Sequence, residues 1–312
     1  MNQVMVLPEQ QIKQKNRTYT DDQIVSMFLK MTCMESEFTL RNYSRAIQLF
    51  RQFLSFKPLR EVTWKEVEVF KISLSEGLCS PSKKPLSPAS VANFLAPIRS
   101  LYKWGSDPNI GLFTVNPTTC IRSPKVPVTS KNHYLTKKEA IHLLIELKKS
   151  GERNYLIGLS LILMGLRVSE LVAIEWGHFH SDPAGISMWL TVVDGKGGKQ
   201  REVKVPKKLW MIYAERFSHY RPEQRLFPLT VRQVERIMQK VRKQSDLRKE
   251  PTPHWLRHTN ATLALLNGAS LQQVQENLGH AHINTTQRYL HTIEQLNKAA
   301  PDYVEECFAD IL

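Results

Sequence analysis

A chain of 312 residues with 42% hydrophobic side chains is long enough for two domain cores of ordinary size. Its longest apolar run, Leu156 to Leu166, is broken by Gly158, Ser160 and Gly165 and is too short to span a bilayer, and the N-terminus lacks the pattern of a signal peptide. The four cysteines (Cys33, Cys79, Cys120, Cys307) stand far apart with no CxxC pair, which argues against a zinc site or disulfide framework and fits a reducing cytoplasm.

The net charge is +14, from 43 Lys+Arg against 29 Asp+Glu. Residues 1–130 hold 17 basic and 10 acidic side chains and residues 131–312 hold 26 and 19, so each half carries +7. Positive charge shared in this way suits two halves that both face a polyanion, rather than a basic tail on a neutral body. A merely basic, soluble protein has the same count.

Residues 1–20 are polar and basic without periodicity and are expected as a loose tail. Asp21 and Asp22 open a first helix, with Ile24, Val25, Phe28 and Leu29 behind them. The spacing of Tyr43, Ile47, Phe50 and Leu54 predicts a longer helix from about Thr39 to Phe56. A third helix after Thr63 turns Trp64, Val67, Phe70 and Leu74 inward. A fourth runs from Ala89 to Trp104, and Pro97 inside it should kink it or remove one hydrogen bond. Arg41 and Arg45 share one face, and so do Arg99 and Lys103; each pair could straddle phosphates or simply form a solvated surface.

The prolines and polar residues of 117–132 read as a linker between a helical domain, 21–116, and a second domain, 133–300. Thr136 and Glu139 have capping-box spacing ahead of helices at about 137–149 and 153–164. The period then changes: Met188–Val193 and Arg201–Val205 flank a glycine-rich turn and predict a β-hairpin. Helical periodicity returns after Lys207 and from Thr230 to Lys243. There Arg232, Arg236, Lys240 and Lys243 line one face, fit either for a DNA groove or for solvent. The fold class is therefore mainly α with a small β-hairpin (α+β), in two domains.

Chemistry concentrates in Gly165-Leu166-Arg167-Val168-Ser169-Glu170, in Asp194-Gly195-Lys196-Gly197-Gly198-Lys199, in His254-Trp255-Leu256-Arg257-His258, and in the stretch from Leu278-Gly279-His280 to Tyr289-Leu290-His291. Breaking a phosphodiester needs a cation to hold the oxygens as charge builds on them. His254 and His258 stand four apart, but position 255 is Trp, not the Glu of a HExxH zinc motif, so no metal is assigned. Arg167 and Arg257 can instead each hold two oxygens in a planar fork. Lys196 has the reach to protonate a leaving alkoxide. A free phenol, with a pKa near ~10, is more acidic than an alcohol, and Tyr289 suits the role of nucleophile because His254, Arg257 and His280 precede it within one compact helical stretch.

Taken together, these residues resemble the tyrosine site-specific recombinases, the phage-integrase family that includes Xer, Cre and transposon-encoded enzymes. The likeness covers about 131–300, and more weakly the helical first half, which resembles the family's core-binding (SAM-like) domain. The resemblance implies a two-domain, C-shaped DNA clamp and cut-and-rejoin chemistry without metal, ATP or other cofactor. Arg167 and Arg257 would hold the scissile phosphate, and His254 and His280 would hydrogen-bond it and assist proton transfer. Lys196, with Lys199 as a less well matched rival, would protonate the 5′ oxygen. Tyr289 would form a 3′-phosphotyrosine. Glu170 would support the site, and His258 and His291 would hold helices in place. The family acts on double-stranded DNA bearing two inverted arms, as a tetramer passing through a Holliday junction, in some cases with accessory proteins. The amphipathic 301–312 would dock on a neighbouring protomer. The short stretch before Asp21 favours a simple recombinase of the Xer or transposon-resolving kind.

Three other readings stand beside this one. A type IB topoisomerase shares the chemistry without the choice of site, a DNA-binding protein could keep the fold without cutting, and a metal-dependent nuclease would lose cleavage on addition of EDTA.

Overall fold

The computed structural model describes residues 19–33, 36–80, 83–126, 133–193, 200–287, 289–290 and 300–307. The chain divides into two units, 1–127 and 128–312.

The first unit is helical. Helix α1 (Asp21–Cys33) buries Ile24 and Phe28. Helix α2 (Glu37–Phe53) starts at Ser36, whose side chain accepts from the Thr39 amide; this cap places the start two residues earlier than the apolar spacing predicts. Helices α3 (Trp64–Glu76) and α4 (Pro88–Gly105) complete the packing. Val91, Leu95, Ile98, Leu101 and Tyr102 of α4 are each at most 1% exposed, and they meet Ile47, Phe50, Phe70 and Leu74 in one core. Helix α4 runs on through the buried Pro97, so the expected irregularity is confined to the hydrogen bond that the imino nitrogen cannot make.

Two expectations for this unit need correction. Trp64 is 51% exposed, not inward. Side chains lean toward the N-terminal end of their helix, so the first residue of α3 projects past the turn that would have covered it. The segment expected as linker from 117 is packed at its start. Ile121 is 6% exposed in the first unit's core, and Arg99 of α4 donates to the Ile121 carbonyl at 2.6 Å and to the Ser123 hydroxyl. Residues 127–132 lie outside the described residues.

The second unit begins with α5 (Lys137–Lys149), whose Thr136–Glu139 capping box forms as expected, and α6 (Glu152–Met164), a buried helix. After the short α7 (Val168–Ala173) comes an antiparallel sheet, in the order β1 (Phe179–Ser181), β2 (Met188–Val193), β3 (Gln200–Val205). The hairpin β2–β3 was expected and β1 was not; three residues are too few for an alternating pattern to register. Helices α8 (Lys207–Phe217), α9 (Val231–Gln244), α10 (Pro253–Leu266), α11 (Leu271–Leu278), α12 (Ile283–Gln287) and α13 (Ala300–Cys307) follow. The core gathers Leu143, Leu147, Leu161, Leu171, Leu190, Val203, Phe227 and Leu256 from helices and sheet alike. No helix among the described residues is long and apolar enough to cross a membrane.

Candidate active site

Arg167 is placed by the end of one helix and the start of the next. Helix α6 stops at Gly165, which takes a left-handed φ of 66°; a Cβ there would lie 2.6 Å from Asn260 Oδ1 and 2.8 Å from Leu278 Cδ2. Two residues on, the Arg167 amide donates to Glu170 Oε2 at 2.7 Å and its guanidinium to Oε1 at 2.6 Å. One carboxylate thus caps the N-terminus of α7 and orients the arginine beside it.

Glu170 itself is 6% exposed. Burial alone would raise its pKa, but hydrogen bonds and charge from Arg201, followed by those from Arg167, outweigh that and hold it below the usual carboxylate range. Arg201 on β3 spans both Glu170 oxygens, at 2.7 and 2.8 Å, and its Nε donates to the Asn277 carbonyl at 3.1 Å.

Arg257 comes from α10 and is 2% exposed. Its Nη1 donates to the Gly165 carbonyl at 2.8 Å and its Nη2 to the Leu278 carbonyl, the C-terminal ends of α6 and α11. A guanidinium buried at two negative helix ends is well compensated. Burial and the nearby Arg167 lower its pKa to about 10, which leaves it charged at neutral pH.

Helix α11 ends at Gly279, also left-handed at φ 65°, and a Cβ there would meet Arg201 Cδ at 2.6 Å. This close approach delivers His280, whose Nδ1 lies 2.9 Å from the Thr286 hydroxyl. Burial, then Arg257 and Arg167, lower the His280 pKa to about 4. Arg167, Arg201, Gly279, His280 and Thr285 line a cleft of about 470 Å³.

His254, Arg257 and His258 share one face of α10 at helical spacing. The His254 and His258 rings lie 4.3 Å apart at 77°. His254 is exposed, and its pKa is lowered by burial of part of the ring and by Arg257 and Arg167. His258 Nδ1 lies 2.7 Å from the Tyr289 hydroxyl. Tyr289 is 8% exposed and packs with Ala261, Val274 and Leu278. Lys196, Lys199 and His291 lie outside the described residues, although β2 and β3 on either side of the lysines are placed.

Arg201, Asn260, Asn277 and Thr286 were not anticipated. Asn260 donates to the Ile162 carbonyl at 2.8 Å, and Asn277 donates to Met164 O at 3.3 Å and to Asn260 Oδ1 at 3.2 Å, which ties α10 and α11 to the end of α6. Arg201 did leave a signal. In β3 it alternates onto the same face as the buried Val203 and Val205, and a charge on an inward face demands a partner.

The residues proposed from sequence to grip DNA have varied surroundings. Arg45 lines a cleft of about 460 Å³ with Asn42, Ser90 and Asn93 between α2 and α4. Arg41 pairs with Glu37 at 3.3 Å, and Lys103 is exposed. Arg99 is engaged within its own unit, as described above. Arg232, Arg236, Lys240 and Lys243 are all exposed on α9, opposite the buried Val234, Met238 and Val241.

The sequence profile of the Phage integrase family matches residues 133–295. A tyrosine recombinase of Pseudothermotoga lettingae is 31% identical over 255 residues, 78% of this chain and 85% of the relative. Tyrosine recombinase XerC of Anoxybacillus flavithermus is 30% identical over 290 residues, 85% of this chain and 90% of the relative. Among solved structures, a lambda integrase dimer bound to a COC′ core site superposes with a TM-score of 0.68 at 22% identity, covering 87% of this chain and 77% of that one. The Tn1549 transposon integrase in complex with transposon right end DNA gives 0.67 at 16% identity, covering 94% and 99%. With its profile match spanning more than half the sequence and these relatives aligned along most of it, the chain belongs to the phage integrase family of tyrosine recombinases.

Proposed function

We propose that this chain is a site-specific DNA recombinase that cuts and rejoins strands through a 3′-phosphotyrosine, with Tyr289 as nucleophile. The observation that carries the reading is the joining of Arg167 and Arg257 around Glu170 beside the cleft that holds His280, while α10 holds both Arg257 and the hydrogen-bond partner of Tyr289.

Each group has a part in that chemistry. Arg167 and Arg257 hold the non-bridging oxygens and offset the charge that builds on them. The hydrogen bonds that already fix both guanidiniums mean that little ordering is left for the moment of reaction. Neutral His280, with Nδ1 turned to the Thr286 hydroxyl, presents Nε2–H to the phosphate if Nδ1 is the acceptor in that pair. His254 adds a second donor from the exposed turn of α10. Lys196 protonates the departing 5′ oxygen. Because the bond energy is kept in the phosphotyrosine, rejoining needs no ATP.

The substrate of this reading is double-stranded DNA carrying two inverted arms, bound by both units with the basic face of α9 along it. Protomers assemble as a tetramer on a Holliday junction, residues 301–312 dock on a neighbour, and the work is done in the cytoplasm on the cell's DNA. The test is to map covalent attachment of the purified protein on its own replicon. Attachment at one short inverted repeat supports the reading. Attachment and relaxation without preference for sequence favour a type IB topoisomerase-like enzyme, and binding without attachment favours a non-cutting protein.

A further inference from the structure

In the proposed chemistry the proton on the Tyr289 phenol must depart as its oxygen attacks phosphorus. Among the described residues, the imidazole of His258 is seated for it. Nδ1 lies 2.7 Å from the phenol oxygen, the rings are 5.4 Å apart at 58°, and Tyr289 is 8% exposed, so bulk water has poor access to that proton. We propose that His258 is a catalytic base. Nδ1 accepts the Tyr289 proton as the oxygen–phosphorus bond forms and the bond to the 5′ oxygen breaks, and it returns the proton when the phosphotyrosine is resolved. The proposal rests on Tyr289 being the nucleophile.

The surroundings of His258 fit this role. It is partly buried, and His254, His133, Arg257 and His280 lie around it; burial first, then these groups, lower its pKa to about 4. At neutral pH the ring is therefore uncharged, and one of its nitrogens carries a lone pair. In the tautomer that carries its proton on Nε2, Nδ1 accepts the hydrogen bond from Tyr289 O–H. A bound phosphate offsets the same cations and raises the basicity of the ring when charge transfer begins. A purely structural histidine would be served by any polar contact; this one contacts the atom that reacts.

The experiment times covalent attachment in a single turnover on a nicked duplex in which sulfur replaces the 5′ bridging oxygen of the scissile phosphate. Sulfur leaves without a proton, so the rate reports the phenol's proton alone. His258→Leu is expected to react about a hundredfold slower than the unchanged chain at pH 7. It should close that gap as the pH rises towards the range where free phenols ionise, about 10, and no base is needed. His258→Asn keeps a hydrogen-bond acceptor but cannot take a proton; it should follow the same course, and it decides the matter if the leucine variant does not fold. DNA affinity should be unchanged in both. A deficit of equal size at every pH, or no deficit, overturns the proposal. Tyr289→Phe is run alongside; an adduct from that variant would instead remove the nucleophile assignment.

Discussion

Arg201 spans both carboxylate oxygens of Glu170, at 2.7 and 2.8 Å, and so joins strand β3 to the helix that begins at Arg167. Through Nε it also holds the end of α11, one step from His280. The strand that follows the lysine-bearing segment is thereby fixed to both sides of the cleft.

Replacing Arg201 should therefore act at a distance. Arg201→Ala leaves Glu170 with a weaker set of partners, and breaking a buried ion pair of this kind costs on the order of 3 kcal/mol. Denaturant unfolding should show that loss, and covalent attachment should fall more than DNA affinity does. Arg201→Lys should not restore either, because an ammonium cannot bridge two oxygens in a plane. Full recovery with lysine would contradict the role given to the fork.

Gly165→Ala should destabilise by roughly 1–3 kcal/mol from the left-handed φ alone. The contact with Asn260 and Leu278 adds to that, and the Gly165 carbonyl that Arg257 needs would shift. An alanine variant with wild-type unfolding midpoint and wild-type cutting would show that the turn is not constrained as described.

Acid should weaken the fold through the histidines. The folded values of His258 and His280 lie near about 4, below the ordinary 6.5. For a base, a lowered value means that the folded chain binds fewer protons than the unfolded chain in between. Stability is then complete above pH 6.5 and is lost as the pH falls towards 4. Urea midpoints should drop across that window, and less steeply in His280→Gln. A midpoint that rises on acidification there would contradict the assignment.

Salt should separate grip from chemistry. If the cations of α9 lie on phosphates, alanine at Arg232, Arg236, Lys240 or Lys243 should each lower the log–log salt slope of DNA binding by about one. Arg99→Ala should leave that slope unchanged and lower stability instead, since its donors are engaged by Ile121 and Ser123.

What the sequence made legible followed from periodicity and residue chemistry. The stripes of α2, α4 and α9 announced their buried faces, and the order of arginine, lysine, histidine and tyrosine motifs carried the resemblance to the family that the relatives show. What it hid depended on contacts distant in the chain. Arg99 looks the same in sequence whether it faces DNA or a carbonyl 22 residues on. Trp64 carries the spacing of a core residue, but its place at the first turn of α3 leaves it outside. Arg201 finds its partner only where β3 brings it to a carboxylate 31 residues earlier. His258, read as a helix support, also lies 2.7 Å from the Tyr289 hydroxyl, the nucleophile of the proposed mechanism.

The most direct test is covalent trapping on a nicked duplex that carries the chain's own recombination site. The unchanged protein should become attached through residue 289, and Tyr289→Phe should bind the same DNA with unchanged affinity and form no adduct. An adduct that persists in Tyr289→Phe, or one mapped to another residue of the unchanged chain, would contradict the mechanism at its centre.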